Sequence, residues 1–391
     1  MTAMIETISV ENFKCHKNSE IKLGHITALV GPNGSGKTAL LQATHCICSL
    51  PGKNSQQVFT GDMAPDFIVR GYGNKLSIDA QTVSSSPRWG LGVHLSTSSS
   101  YSGEQRDWEM KIAWDWLERH EQTSPISLPP PASLTNLPFP KEIAKELGLA
   151  VYFKASPEKL SQLSSLDEAP VKLSSDGSGL ASVMANLILS EPDRHQLIEE
   201  ELCKIVPTVK RVRARQTTVL EEERVYSITE KGFPNSKIRH NTRPGYELIF
   251  DTSSAGSVPA RAMSEGTLQI LGMLTLLFSP FPPKLFLMED IEQGLHPVAQ
   301  RRLMTIFKTF AESQNRQILL TSHSPYIVDE LDAPSVWVMA NDKDGISHVR
   351  RLSDHPDAKR SLEVLTTGEF LGAEGEDWVL NPSMQGELVN A

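Results

Sequence analysis

The sequence predicts an α/β fold: a mainly parallel sheet with helices on both faces, opened by an N-terminal antiparallel hairpin and interrupted by an inserted lid or arm subdomain. Three observations predict it. The apolar run Ile26-Thr27-Ala28-Leu29-Val30 passes directly into a glycine-rich loop and then a helical pattern. From 265 to 331 strand and helix patterns alternate at lengths that suit a covered parallel sheet. Between these regions the chain turns to Ser, Pro and Trp, the punctuation of an insert.

The elements follow in order. Residues 1–85 are expected to form the first part of the core. Ile5, Ile8 and Val10 alternate as in a strand, a polar hairpin follows, then the strand 26–30 and a helix from Lys37 to about Cys48. Residues 86–245 are expected to be the insert, with loops at Ser96–Ser100 and Pro129-Pro130-Pro131 and with Trp108, Trp114 and Trp116 between them. A helical pattern near 178–204 breaks at Pro192, and no heptad run is long enough for a coiled coil. Residues 246–352 return to the core. They read as helix Glu265–Phe278, strand Leu285–Met288, helix Pro297–Ala311, strand Ile318–Thr321, helix Pro325–Leu331 and a closing hairpin of Val336–Met339 with His348-Val349. Residues 353–391 form a polar tail with helical content near Leu362–Leu365.

Bulk composition narrows the class. A chain of 391 residues with 39% hydrophobic and 22% charged residues can bury a sizeable core. The longest apolar run, Leu268–Phe278, falls short of the ~18 residues a membrane span needs. No basic stretch followed by an apolar one opens the chain, so a cytoplasmic protein is expected. Cys15, Cys46, Cys48 and Cys203 make neither a disulfide framework nor a zinc site, because Cys46-Ile47-Cys48 has no second pair. The net charge of −9 argues against a surface that binds nucleic acid throughout, while leaving one local basic face open.

Gly31-Pro32-Asn33-Gly34-Ser35-Gly36-Lys37-Thr38 matches the phosphate-loop pattern at every position, between a strand and a helix. Its glycines let successive N–H groups of Asn33, Gly34, Ser35 and Gly36 curl around phosphates, and the helix N-terminus adds partial positive charge. Lys37 is expected to reach the β- and γ-phosphates and Thr38 to ligate Mg²⁺.

Later motifs narrow the phosphate-loop class. The strand Leu285–Met288 ends in Glu289 and Asp290, where a P-loop fold places its Mg²⁺-holding acid. Leu295-His296-Pro297 follows on a loop. Met263-Ser264-Glu265-Gly266-Thr267 opens a helix whose N-terminus suits a γ-phosphate, and Ser322-His323-Ser324 follows an apolar strand, where a histidine can contact that phosphate. Each motif also has a plain reading: Ser264 as a helix cap, His323 as a turn residue, Leu295 as core.

In this order the motifs resemble the ABC-type P-loop ATPase domains of the RecF, SMC and OLD group, and within it most the short AAA-type, OLD-like ATPases of prokaryotic defence and repair loci. Val10-Glu11-Asn12-Phe13-Lys14 is similar to their first hairpin. The resemblance implies ATP and Mg²⁺ as cofactors and ATP hydrolysis. It implies a homodimer in which Ser264 and Gly266 complete the site of the partner. Thr38 and Glu289 are then the metal residues, and Glu289, Asp290 and His323 the catalytic ones.

Two positions depart from the pattern. The catalytic acid is Asp290, one methylene shorter than the usual glutamate, which points to slow turnover; a second register makes Asp290 the metal residue and Glu292 the base. The glutamine that links γ-phosphate to the insert has no clear counterpart, Gln57 being the candidate. In Lys210-Arg211-Val212-Arg213-Ala214-Arg215 the arginines share one strand face, suited either to a DNA backbone or to a solvated edge. Residues 332–391 are too few for the TOPRIM nuclease of OLD proteins, so a separate, nuclease-like effector is expected. The sequence thus predicts an ATP-driven switch subunit of a defence or repair complex. A non-hydrolysing scaffold and a transporter subunit are the alternatives, the last disfavoured by the absence of LSGGQ.

Overall fold

The structure is a computed structural model and describes residues 4–50, 58–70, 75–83, 89–97, 108–116, 126–128, 150–165, 172–228 and 234–380. Gln57 lies outside the described residues. The chain divides into two compact units. Unit 1 comprises residues 1–152, 283–292 and 304–391; unit 2 comprises 153–282 and 293–303.

Unit 1 is built on one 12-stranded sheet. Its strands in chain order are β1 Met4–Phe13, β2 His16–Lys22, β3 Ile26–Val30, β4 Lys75–Val83, β5 Trp89–Thr97, β6 Trp108–Trp116, β7 Ile126–Leu128 and β8 Ala150–Phe153. After the short strand β9, Ser164–Ser165, and strands β10 Val209–Ile228, β11 Pro234–Thr252 and β12 Gly256–Pro259 come β13 Leu285–Met288, β14 Gln317–Thr321, β15 Val336–Asn341 and β16 Ser347–Arg351. The sheet order is β7-β6-β5-β4-β1-β2-β16-β15-β3-β14-β13-β8.

The parallel part lies where β13, β14, β3 and β15 run side by side. Every residue of β3, β13 and β14 is buried, as expected of strands covered on both faces. Because these strands run the same way, their carboxyl ends share one edge, the position at which open α/β sheets bind ligands. The rest of the sheet is largely antiparallel: β1 with β2 and β4, then β4 through β7 as a meander. Strands β5, β6 and β7, from the stretch whose Ser, Pro and Trp content reads as an insert, continue this sheet, paired residue by residue. Side-chain composition marks their loops, while backbone pairing decides which sheet they join.

Helix α1, Lys37–Ser49, packs on this sheet through Leu40, Leu41, Ala43 and Ile47, which share a core with Ile8, Val10, Phe13, Leu29 and Leu319. The described part of the tail ends at 380. It carries a short helix at Ala358–Ser361 and a capped one at Thr367–Glu374, where Thr366 and Glu369 form a capping box.

Unit 2 contains α2, Leu180–Ser190, α3, Pro192–Ile205, and α4, Glu265–Leu277. Pro192 divides α2 from α3, as its missing N–H requires. Strands β10 and β11 pair from Val209↔Thr252 to Ile228↔Pro234 with a register shift between Val209 and Arg211, and β12 and β9 pair with β11. Helix α4 buries every residue from Gly266 to Leu277. Helix α5, Pro297–Ser313, follows β13.

Candidate functional site

The phosphate loop leaves β3 at Gly31, whose φ of 146° suits glycine alone among the coded residues; a Cβ there would lie 2.2 Å from the carbonyl oxygen of Met339. Neighbouring strands brace the loop. Asn341 Nδ2 donates to the Gly34 carbonyl (2.8 Å), Ser347 Oγ to the Ser35 carbonyl (2.8 Å), and His16 Nε2 contacts the Gly36 carbonyl at 3.0 Å. His16 is fully buried, and burial holds its pKa below the usual histidine value against the opposing pull of that carbonyl. None of these three braces is marked in the sequence, because each acts from β2, β15 or β16 across the sheet.

Lys37 is buried, and its Nζ donates to the carbonyls of Gly31 (2.8 Å) and Pro32 (2.9 Å). Burial lowers its pKa, while Asp290, Glu292, Glu376 and Glu289 raise it again by charge. The ammonium is thus held over the loop in a field of carboxylates. Asn33 and Gly34 are exposed, and the buried Ser35 Oγ has no hydrogen-bond partner.

Glu289, at the end of β13, joins three elements. Thr38 Oγ1 donates to Oε1 at 2.6 Å, and the Tyr152 hydroxyl of β8 donates to Oε2. Burial, this bond and the charges of Glu289 and Asp290 push the Tyr152 phenol well above its usual pKa. Asp290 has a positive φ of 49°. The Thr321 hydroxyl at the end of β14 accepts from the Asp290 N–H (2.9 Å) and donates to Oδ1 (3.1 Å). Glu292 Oε1 accepts the backbone N–H of His323 (2.6 Å), while its buried Oε2 has no partner. The His323 residue itself is exposed.

Thr38, Glu289, Asp290, Glu292 and the His323 backbone are therefore brought together in unit 1. Sequence reasoning missed Tyr152, which sits on a four-residue strand inside the stretch read as insert. In unit 2, Ser264 caps α4, accepting from the Thr267 N–H at 3.3 Å, and Leu295 is buried. Both plain readings of these residues therefore hold as local structure. Gly266 is required by close approach, since a Cβ there would meet the Gly294 carbonyl oxygen at 2.3 Å.

Among the described residues no group of three or more His, Cys, Asp or Glu is arranged to hold a metal. The hard-oxygen pair Thr38–Glu289 fits a Mg²⁺ that completes its shell with water and phosphate oxygens. On the arginine face of β10, Arg213 makes a bidentate pair with Asp251 (2.8 and 2.6 Å), and Arg215 pairs with Glu247, which Arg261 shares. No helix among the described residues is long and apolar enough to cross a membrane.

With its phosphate loop, its β13 acid pair and serine-capped α4, the chain is of the ABC-type ATPase class of the RecF, SMC and OLD group. Its fold is similar to an SMC head bound to the C-terminal winged-helix domain of ScpA, with a TM-score of 0.53 and 14% identity over 88% of this chain and 96% of that one. It is equally similar to the Pyrococcus furiosus SMC head with an extended coiled coil bound to the ScpA C-terminal domain, with a TM-score of 0.53 and 12% identity over 92% and 99% of the two chains. The chain belongs to the family described as "AAA domain, putative AbiEii toxin, Type IV TA system", whose model matches residues 26–329. It is 48% identical over 40 residues to an OLD nuclease of Thermus scotoductus, a match spanning 10% of this chain and 8% of that protein. It is 33% identical over 99 residues to the DNA replication and repair protein RecF of Chlorobaculum tepidum, spanning 25% of this chain and 24% of RecF. The chain thus matches less than a quarter of the length of these curated relatives.

Proposed function

We propose that this chain is a slow, Mg²⁺-dependent ATPase that dimerises on ATP and acts as the cytoplasmic switch subunit of a defence or repair complex. The observation that carries the reading is the Thr38–Glu289 hydrogen bond, which brings the hydroxyl of the phosphate loop to the acid at the end of β13. It favours Glu289 over Asp290 as the metal residue, since Asp290 hydrogen-bonds Thr321 instead. Asn33, Gly34, Ser35, Gly36 and Lys37 bind the triphosphate; Thr38 and Glu289 would hold a Mg²⁺, which would supply charge neutralisation at the phosphates. Asp290 orients the attacking water and His323 contacts the γ-phosphate. Glu292 holds the loop that carries the histidine. Ser264 and Gly266 complete the site of a second copy.

One curated relative is an OLD nuclease; here we assign an effector of that kind to a separate polypeptide. Charge pairing of Arg213 and Arg215 speaks against a DNA contact through β10 alone. A second reading, a non-hydrolysing scaffold that uses ATP to hold the dimer, is favoured by the short Asp290 side chain turned toward Thr321.

The test is ATP turnover measured with oligomeric state, for wild type and Asp290→Ala, with and without duplex DNA. Slow hydrolysis lost in the variant, with ATP-trapped dimers, is the expected result, and stimulation by DNA adds a nucleic-acid trigger. Equal absence of hydrolysis with ATP-driven association supports the scaffold. Absence of ATP binding refutes both readings.

A further inference from the structure

Both carboxylate oxygens of Glu289 are engaged, each by a hydroxyl from a different element. Thr38 of α1 serves Oε1 and Tyr152 of β8 serves Oε2. The two donors differ in what binding of a cation does to them. The Thr38 oxygen is the one assigned above to the metal, so its bond to Glu289 is exchanged when the metal enters. Tyr152 has no such competing role.

The surroundings of Tyr152 favour a fixed donor. Its ring lies against His45 of α1, with centroids 5.5 Å apart and planes inclined at 32°. The strand that carries it closes one edge of the sheet. The chain continues from Tyr152 directly into unit 2 at Phe153. A tyrosine, moreover, has few rotamers to lose, and Glu289 is itself buried.

We propose that Tyr152 is a positioning residue for the divalent cation: by holding Glu289 Oε2 it keeps Oε1 facing Thr38, so the metal site is arranged before the nucleotide arrives. This rests on the reading of Thr38 and Glu289 as the metal-holding pair. Donors that orient a metal-binding carboxylate from outside the ligand set are commonly worth about 10- to 100-fold in metal affinity. The effect of removing this one therefore falls on metal and not on nucleotide.

The experiment is calorimetric titration of the non-hydrolysed analogue AMP-PNP, with EDTA and at stepped Mg²⁺, with Mn²⁺ binding followed in parallel by electron paramagnetic resonance. Tyr152→Phe is expected to bind AMP-PNP in EDTA like wild type, yet to need about 10-fold more Mg²⁺ or Mn²⁺ for half-saturation. In a Glu289→Ala background the same substitution is expected to add nothing, because the two act through one carboxylate. Tyr152→Gln, which keeps a donor without the ring, is expected to retain more metal affinity than Tyr152→Leu, which keeps neither. An unchanged metal requirement in Tyr152→Phe overturns the proposal. So does an effect that persists without the Glu289 carboxylate, or equal loss in the Gln and Leu variants. A wild type whose nucleotide binding ignores Mg²⁺ overturns instead the assignment of Thr38 and Glu289.

Discussion

Asp290→Glu is expected to accelerate ATP hydrolysis. Asp290 is held back over its own backbone by Thr321, whose hydroxyl lies 2.9 Å from the Asp290 nitrogen and 3.1 Å from Oδ1. One added methylene advances the carboxylate by about 1 Å, and a misplacement of that size costs about 10²-fold in rate. That is about 2.7 kcal/mol of barrier, which the longer side chain recovers in large part. The substitution also has a cost. At a φ of 49° aspartate is tolerated better than glutamate, so the variant loses about 1 kcal/mol of stability. The expected result is phosphate release up to about 10²-fold faster than wild type, with a melting temperature about 1 °C lower. Steady-state phosphate release and thermal melting read the two effects separately. Wild-type turnover already at tens per second, or a glutamate variant slower than wild type, refutes the reasoning.

Three further outcomes follow from particular contacts. Gly31→Ala places a methyl 2.2 Å from the Met339 carbonyl oxygen, so AMP-PNP is expected to lose its stabilising shift in a melting assay; a retained shift contradicts the loop geometry. Burial depresses the Lys37 pKa, so in the folded protein the ammonium deprotonates at lower pH than in the unfolded chain. Stability through this group therefore rises with pH across that alkaline interval. Triphosphate beside Lys37 raises its pKa again. Nucleotide binding there is expected to take up a proton in wild type and not in Lys37→Met, as calorimetry in buffers of different ionisation heat will show. Burial pushes the Cys48 thiol up to about 12, so iodoacetamide at pH 8 is expected to spare Cys48 in the native state and label it in denaturant. Because the folded value is the raised one, the stability tied to this thiol is present at neutral pH and falls as pH climbs toward 12.

Local chemistry made the phosphate loop, the strand Leu285–Met288 and the helix break at Pro192 legible in the sequence. Glycines at fixed spacing, a wholly apolar strand before paired carboxylates, and a proline without N–H each act within a few residues of themselves. The order of the motifs placed the chain among ABC-type ATPases for the same reason, since each motif is a contiguous string. What the sequence could not carry was pairing across distance. Strands β5 to β7 join the main sheet through backbone hydrogen bonds that leave no mark on side-chain composition. The arginines of β10 read as a basic face until β11 sets Asp251 and Glu247 opposite them. Glu292 meets the His323 N–H, and Tyr152 meets Glu289, across 31 and 137 residues of chain. The sequence by itself determined which groups can bind phosphate, because that depends on local backbone freedom and side-chain type. Only the tertiary structure decided which carboxylate meets Thr38, which is pinned by Thr321 and which is steadied by Tyr152, because those depend on which strands the fold lays side by side.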